Sequence, residues 1–167
     1  MGTIISSDGQ YRYRLERVVG MTGPVYAFFG INPSTADATT DDATVAKWIG
    51  FTRVWGGSRF IVGNVDPLRT PDVGGLAFPP SGGVLRENRQ QIQSIASEAD
   101  ILVPCWGNRN KVPKVLHKEI DDLLERLLAT GKPVMHLGLT KSGDPKHPLM
   151  LAYSTPLTPW TKPHTGG

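Results

Sequence analysis

Amide, carboxylate and cationic side chains follow each of four short apolar runs in this 167-residue chain. The first run, 25–29, ends in a Gly-Ile-Asn-Pro-Ser turn that begins at Gly30. An amide such as that of Asn32 offers a donor and an acceptor side by side, which suits the edge of a nucleobase, whereas Arg and Lys suit phosphates. These residue types together favour a nucleotide-like ligand.

If the four runs are parallel strands, their carboxyl ends meet at one edge of a sheet, where open α/β folds bind ligands. Taken singly, each polar residue there has an ordinary role, because strand-end asparagines often cap turns. Their convergence on one edge is what predicts a site. The residues that would meet there are Asn32, Ser34, Thr35 and Asp37 after the first run, Asn64, Asp66 and Arg69 after the second, Trp106, Asn108, Arg109 and Lys111 after the third, and Thr140, Lys141, Ser142, Asp144, Lys146 and His147 after the fourth.

Three nearby carboxylates, Asp37, Asp41 and Asp42, permit a different interpretation. They could hold a magnesium ion for phosphoryl transfer, with Asp144 as a further ligand. Asp41 and Asp42 also stand where helix starts favour acidic residues, so capping is the alternative for these two. The chain lacks a glycine-rich loop ending in Lys-Ser/Thr, which excludes an ordinary P-loop enzyme. For the leading function we expect no cofactor and no metal; a metal-dependent reaction would use Asp37 and Asp41.

The elements that must position these residues alternate between strand and helix. An apolar period of two predicts an edge strand over 11–18, and the apolar runs predict strands over 25–31, 60–65, 101–105 and 134–139. Apolar stripes predict helices over 42–54, 84–99 and 113–130. The first helix would be capped by Thr39, Thr40 or Asp41. This alternation predicts a three-layer α/β/α sandwich with a central, mainly parallel four-stranded sheet.

Length and composition bound the class of protein. One domain over 1–167 accommodates the 39% hydrophobic content, with 1–10 and 161–167 as flexible ends and a long loop over 70–83. No apolar run approaches the roughly 20 residues that span a bilayer, and the first ten residues do not resemble a signal peptide. We expect a cytoplasmic protein with no membrane partner. The single cysteine, Cys105, ends an apolar run and is expected to be buried.

The order of these motifs resembles the uracil-DNA glycosylase superfamily. Its members carry a first motif of the type Gly-Gln-Asp-Pro-Tyr or Gly-Ile-Asn-Pro-Gly, which the turn at Gly30 matches. They also carry a strand that ends in asparagine, matched by Asn64, a strand that ends in Trp-Gly, matched at Trp106, and a His-Pro segment, matched at His147. The chain resembles more closely a bacterial and phage family catalogued as domain-of-unknown-function 1643, through the segments 32–37, 41–42, 64–69, 137–140 and 147–149.

The glycosylase resemblance implies a glycosylase-like fold and an enzyme that hydrolyses the N-glycosidic bond of a base flipped out of DNA. Asn32 would position the hydrolytic water, Asn64 would pair with the base edge, and His147 would hydrogen-bond the base oxygen that gains negative charge. Because an amide activates water more weakly than a carboxylate, Asp37 would supply the base. Ser34 departs from the Gly or Tyr that members have after the proline, and the insert 141–146 is one that glycosylases generally lack. With the amide at Asn32, these departures favour a modified or unusual base, in phage or foreign DNA, rather than uracil.

The remaining predicted site residues would complete a DNA-binding pocket, in which Trp48 and Phe51 are candidates for the ring that stacks on the base. The substrate-binding set is Gly30, Ser34, Asn64, Trp48, Phe51 and Trp106, and the phosphate-binding set is Arg69, Arg109, Lys111, Lys141 and Lys146. The net charge of +3 is compatible with DNA as the partner of a monomeric protein.

Two other functions stay open at this point. The first is an enzyme that acts on a free nucleotide or nucleoside derivative with a metal at Asp37 and Asp41. The second is a catalytically inert module that recognises a modified base or a nucleic-acid end, in which Asn32 and Asn64 would serve recognition only.

Overall fold

A computed structural model of the chain describes residues 2–34, 36–72, 76 and 82–161. The strands of its main sheet are Ile4–Ile5 (β1), Arg12–Val18 (β2), Val25–Gly30 (β3), Arg59–Asn64 (β4) and Ile101–Pro104 (β5). Their spatial order is β1-β2-β4-β3-β5. β3 runs parallel to both β4 and β5, whereas β2 is antiparallel to β4 and to β1. The chain is therefore mixed α/β, and the parallel part of its five-stranded sheet has three strands.

The predicted fourth parallel strand, 134–139, is not part of this sheet. Only Met135–His136 (β6) forms a strand there, and it pairs antiparallel with Thr158–Pro159 (β7) in a separate two-stranded sheet. Its contact with β5 is reduced to one parallel bridge between Leu102 and Val134. Pro133, which precedes β6, has no backbone N–H to donate, and Gly138, which follows β6, has a φ of 110°. The backbone on either side of β6 is therefore unsuited to a continuous ladder of strand hydrogen bonds.

Three α-helices accompany the sheet: Ala43–Val54 (α1), Gly82–Glu98 (α2) and His117–Ala129 (α3). All three were expected from their apolar stripes. The third starts later than the predicted residue 113, because a separate 3-10 turn, Lys114–Leu116, precedes it. None of the helices that the structure describes is both long enough and apolar enough to cross a membrane.

Alternate residues of the central strands pack on opposite faces of the sheet. On one face, Phe28 belongs to a buried cluster with Trp48 of α1. On the other face, Phe29 belongs to a cluster with Ile95 of α2 and Leu123 of α3. Successive side chains of a strand point to opposite faces of the sheet. A residue at the end of β3 therefore faces α1 if it lies an even number of residues from Phe28, and faces α2 and α3 otherwise.

Several sequence expectations concern segments at the ends and in loops. Ile4–Ile5 forms β1 inside the stretch 1–10 that was expected to be flexible. Cys105 is buried, as expected, and its burial raises the pKa of the thiol to about 12. Most of the predicted loop at 70–83, the tail from 162 and Thr35 lie outside the described residues.

Candidate functional site

Asn64 ends β4 with a side chain that is almost fully buried, at 2% exposure. The parallel register places it beside Gly30, the last residue of β3, and both have the strand parity of residues that face α1. A Cβ on Gly30 would lie 2.9 Å from Asn64 Oδ1, so the glycine provides the space that this amide occupies. Asn64 Nδ2 has no hydrogen-bond partner among the described residues. An unsatisfied buried donor costs about 1–3 kcal/mol, which a ligand with an acceptor would recover.

A second buried asparagine, Asn88 of α2, holds the turn that follows Asn64. Its Nδ2 donates to the backbone oxygen of Asn64 at 2.9 Å and to that of Val65 at 3.3 Å. Sequence reasoning missed Asn88. A signal was present, because Asn88 interrupts the apolar stripe that Leu85 and Ile92 form at helical spacing.

The amide of Asn32 braces the segment that follows β4. Its Nδ2 donates to the backbone oxygens of Pro33 at 3.0 Å, Leu68 at 3.3 Å and Thr70 at 2.7 Å. Carbonyl oxygens only accept hydrogen bonds, so these contacts determine which way the amide is turned. Asn32 Oδ1 is the atom left to accept from a water, since no described residue donates to it.

Asp66, two residues after Asn64, is a buried carboxylate at the same strand end. Its Oδ1 accepts from the backbone N–H of Leu68 at 2.9 Å. Burial raises the pKa of Asp66, and this hydrogen bond opposes the shift. Asp66 thus shapes the turn that presents the Leu68 carbonyl to Asn32.

The carboxylate of Asp37 is engaged by its own turn. Asp37 Oδ1 accepts from the backbone N–H groups of Thr39 at 3.0 Å and Thr40 at 2.8 Å, and these bonds lower its pKa. The role of Asp37 as a general base stays a prediction, and one of its two carboxylate oxygens, Oδ1, already accepts two hydrogen bonds. Asp41 forms an ion pair with Arg17 of β2 at 2.8 Å.

Asp42 is the N-cap of α1. Its side chain accepts from the backbone N–H of Val45 at 2.9 Å. The cap predicted at Thr39, Thr40 or Asp41 was therefore wrong by one to three residues, whereas the capping alternative given for Asp42 is confirmed. Within the described ranges, no group of three or more His, Cys, Asp or Glu residues could hold a metal ion. The metal-assisted alternative thus gains no support from this part of the chain.

His147 lies beside the segment that follows β5. A Cβ on Gly107 would be 3.5 Å from His147 Cβ. His147 Nδ1 accepts from the backbone N–H of Leu149 at 3.2 Å, which leaves Nε2 to carry the proton of a neutral imidazole. His147 keeps exposed surface, yet desolvation by the surrounding chain lowers its pKa, while the carboxylate of Asp42 opposes this shift. We therefore assign His147 at neutral pH as a donor through Nε2.

The segment 141–146 holds His147 against the end of β5. Gly107 donates its backbone N–H to Pro145 O at 2.9 Å. The buried Asp144 accepts from Arg109 Nε at 2.9 Å, and Arg109 also pairs with Asp121 of α3 at 2.8 Å. Arg109, a predicted phosphate contact, is thus used to anchor this segment. The other cations of the predicted set here are exposed, namely Lys111, Lys141 and Lys146.

The aromatic residues predicted to bind the base are buried in the core. Trp48 stacks on Phe28, with ring centroids 5.5 Å apart, and Phe51 is fully buried. Trp106 belongs to the cluster on the α2 and α3 face, opposite to the face of Asn64, and its indole Nε1 has no partner among the described residues. None of the three rings offers an open face for stacking.

Asn64 is not among the lining residues of two cavities in the described part of the structure. One, of about 310 Å³, is lined by Gly9, Ser34, Arg69, Thr70 and Pro71. A larger one, of about 910 Å³, lies between α2 and α3 and includes Leu85, Arg86 and Arg126 in its lining. Only the smaller cavity includes predicted site residues, Ser34 and Arg69.

Comparison with known proteins identifies the family of the chain. No curated protein matches it. A family model described as a protein of unknown function, DUF1643, matches residues 12–149. The match runs from the first residue of β2 to beyond His147 and so contains the whole strand-end site. Because this match covers well over half of its length, the chain belongs to the DUF1643 family.

Proposed function

We propose that this protein is a DNA-base-processing enzyme that binds a modified or unusual base flipped out of DNA and hydrolyses its N-glycosidic bond. The observation that carries the proposal is the buried amide of Asn64, with an unpartnered Nδ2 at the carboxyl end of a central parallel strand. The Watson–Crick edge of a base carries acceptors and donors, so it can supply the hydrogen-bond partner that this amide lacks.

The arrangement of layers is compatible with this function. α1 on one face of the parallel strands, with α2 and α3 on the other, resembles the three-layer sandwich of the uracil-DNA glycosylase superfamily. The ends of β4 and β5 are two strand spacings apart, roughly 10 Å. Gly30 ends the strand between them, so a base that pairs with Asn64 and also contacts His147 would lie across the end of β3.

Three side chains divide the chemistry in this proposal. Asn64 pairs with the base edge, and His147 Nε2–H donates to the base oxygen that becomes negative as the glycosidic bond breaks. Asn32 Oδ1 accepts a hydrogen bond from the water that adds to the sugar carbon. A donor aimed at developing charge contributes about 2.7–4 kcal/mol to lowering such a barrier.

A specific observation favours a second candidate, the catalytically inert reader of a modified base. Asn32 Nδ2 is used to brace backbone carbonyls, and Asp37 Oδ1 is used within its own turn. These were the two residues expected at the hydrolytic water. The same pocket would then recognise a base without cleaving its bond.

Oligonucleotide cleavage separates the two candidates. We expect duplex or single-stranded oligonucleotides with uracil, hydroxymethylated or other modified bases to yield abasic sites, detected as strand breaks after alkali. Asn64→Ala should lower the cleavage rate at least about 100-fold. Asn110→Ala, a change in an exposed asparagine bonded to Ser142, should leave the rate unchanged. Cleavage of no base, with Asn64-dependent binding of a modified oligonucleotide, would overturn the enzyme in favour of the reader.

A further inference from the structure

The turn that carries His147 is held together by its own backbone. Leu149 donates its N–H to His147 Nδ1, and Leu151 donates its N–H to Pro148 O at 3.0 Å. Residues 147–151 therefore form one hydrogen-bonded turn. Little apolar burial fixes this turn to the rest of the molecule, because Leu149 is 39% exposed and Met150 is 90% exposed. Its position depends on a small number of other contacts.

Lys47 of α1 makes a polar contact between the helix and this turn. Its Nζ donates to the backbone oxygen of Leu151. The same ammonium lies 4.3 Å from the centroid of the Tyr153 ring, a distance at which a cation is attracted to an aromatic face. Sequence reasoning did not single out Lys47, because a lone lysine in a helix has the pattern of a solvated side chain.

Gly50, three residues after Lys47 on α1, lets Tyr153 lie directly against the helix. A Cβ on Gly50 would be 2.3 Å from Tyr153 Cε1 and 2.5 Å from its Oη. Tyr153 also packs edge-on against Phe51, with ring centroids 5.1 Å apart. A glycine in the interior of a helix is destabilising, and the close approach of Tyr153 gives this one a packing reason.

His147 thus lies between two anchors on different elements. On one side, the bond from Gly107 N–H to Pro145 O ties the preceding segment to the end of β5. On the other side, Lys47 ties the following turn to α1. The start of α1 also carries Asp42, whose charge acts on the imidazole. The position of the turn on α1 therefore determines both where the imidazole lies and what surrounds it.

We propose that Lys47 is a positioning residue, which holds the turn 147–151 on α1 and so fixes the point from which His147 Nε2 donates to a ligand. Gly50 and Tyr153 support Lys47 by seating the end of the same segment on the helix. Donation to a base rests on the proposed function, whereas the placement of the imidazole by Lys47 does not. Displacement of a catalytic group by about 1 Å can lower a rate roughly 100-fold, so such a tether would matter for catalysis.

NMR titration of the His147 imidazole tests the placement without any ligand. Lys47→Met removes the donor, whereas Gly50→Ala displaces Tyr153 and keeps the charge of Lys47. In both variants we expect the pKa of His147 to shift upward, because a released turn loses the desolvation that lowers this pKa, and desolvation outweighs the opposing effect of Asp42.

Two control variants accompany this titration. Lys47→Arg keeps a charged donor, so it should keep the pKa of the wild type. Arg53→Met removes an exposed cation from the last turn of the same helix and should also leave the pKa unchanged. An unchanged pKa in both Lys47→Met and Gly50→Ala, even with a loss of stability in urea, would overturn the proposal, because the contacts would then be merely structural. If Gly50→Ala does not fold, the comparison of Lys47→Met with Lys47→Arg decides the outcome.

Oligonucleotide cleavage separates failure of this proposal from failure of the proposed function. We expect Lys47→Met to lower kcat about 10-fold or more at an unchanged KM, because His147 would donate to charge that develops only in the transition state. Cleavage with the kcat of the wild type in this variant contradicts the positioning role alone. A shifted pKa of His147, together with cleavage of no base by the wild type, supports the positioning role and contradicts the hydrolase alone.

Discussion

Asn64 combines near-complete burial with an unpartnered amide donor, a costly state for a side chain in a folded protein. Unpartnered polar groups are found in binding sites, because a group whose hydrogen bonds are all made within the protein cannot also bond a ligand. Asn88 illustrates the contrast: it is equally buried, but its Nδ2 bonds two backbone oxygens and fixes the turn beside Asn64.

This contrast predicts opposite effects for two matched substitutions. Asn64→Leu replaces the amide by an apolar group of similar shape, so we expect the free energy of unfolding to rise by about 1 kcal/mol while base binding is lost. Asn88→Leu removes two hydrogen bonds to backbone oxygens, so we expect unfolding to become easier by about 1–3 kcal/mol. Urea unfolding of both variants measures the difference. Equal destabilisation by the two changes would show that Asn64 is a structural residue.

At the scale of elements, the start of α1 links helix stability to the state of His147. Asp42 caps the helix through the N–H of Val45, and its charge raises the pKa of His147 against the effect of burial. The carboxylate of Asp42 thus has two roles. Capping of α1 requires a hydrogen-bond acceptor, whereas the effect on the pKa of His147 requires the negative charge.

Two substitutions of Asp42 separate these purposes. Asp42→Asn keeps a good cap but removes the charge, so stability should change little, whereas Asp42→Ala should cost about 1 kcal/mol. In both variants the pKa of His147 should fall further, because only the desolvation that favours neutral imidazole remains. NMR titration of the imidazole signals measures this pKa. An unchanged pKa in both variants would mean that Asp42 does not act on His147.

At the scale of the whole molecule, three parallel strands bring together residues that are far apart in the chain. Gly30 leaves room for the amide of Asn64 at one side of this edge, and Gly107 allows His147 to approach at the other side. The net charge of +3 is small, so DNA binding would depend on local cations rather than on an overall field.

The salt dependence of oligonucleotide binding tests this view. Each phosphate contact with a single strand contributes a slope of about −0.7 to the plot of log affinity against log salt concentration. We expect Arg69→Gln to make the slope shallower by about that amount, and Arg86→Gln, on the exposed side of α2, to leave it unchanged. Fluorescence anisotropy at several salt concentrations measures both slopes. Identical slopes for wild type and Arg69→Gln would remove Arg69 from the phosphate contacts.

Periodicity alone located β2 to β5 and α1 to α3, because an apolar pattern of period two or 3.6 reflects which side of each element is buried. It also indicated which residues follow each strand, and hence that Asn64 lies at the parallel edge. It could not reveal that the segment 134–139 leaves the main sheet, since a short apolar run has the same pattern in either position.

The roles of individual polar groups depended on the tertiary structure. Asn32 and Asp37 have the residue types of a hydrolytic site. In the folded chain, however, Asn32 Nδ2 donates to the backbone oxygen of the distant Thr70, and Asp37 Oδ1 accepts from the backbone N–H of Thr40 in its own turn. The face of the sheet on which the Arg12 guanidinium lies could not be read from the sequence either. Tyr13 is an extra residue of β2 in its pairing with β1, and this irregularity turns Arg12 towards the backbone oxygen of Ala36. The sequence by itself determined the elements and the edge where they end, since these follow from local patterns of burial. Only the tertiary structure decided which strand-end groups are left without partners, because a hydrogen bond depends on atoms that the fold brings together.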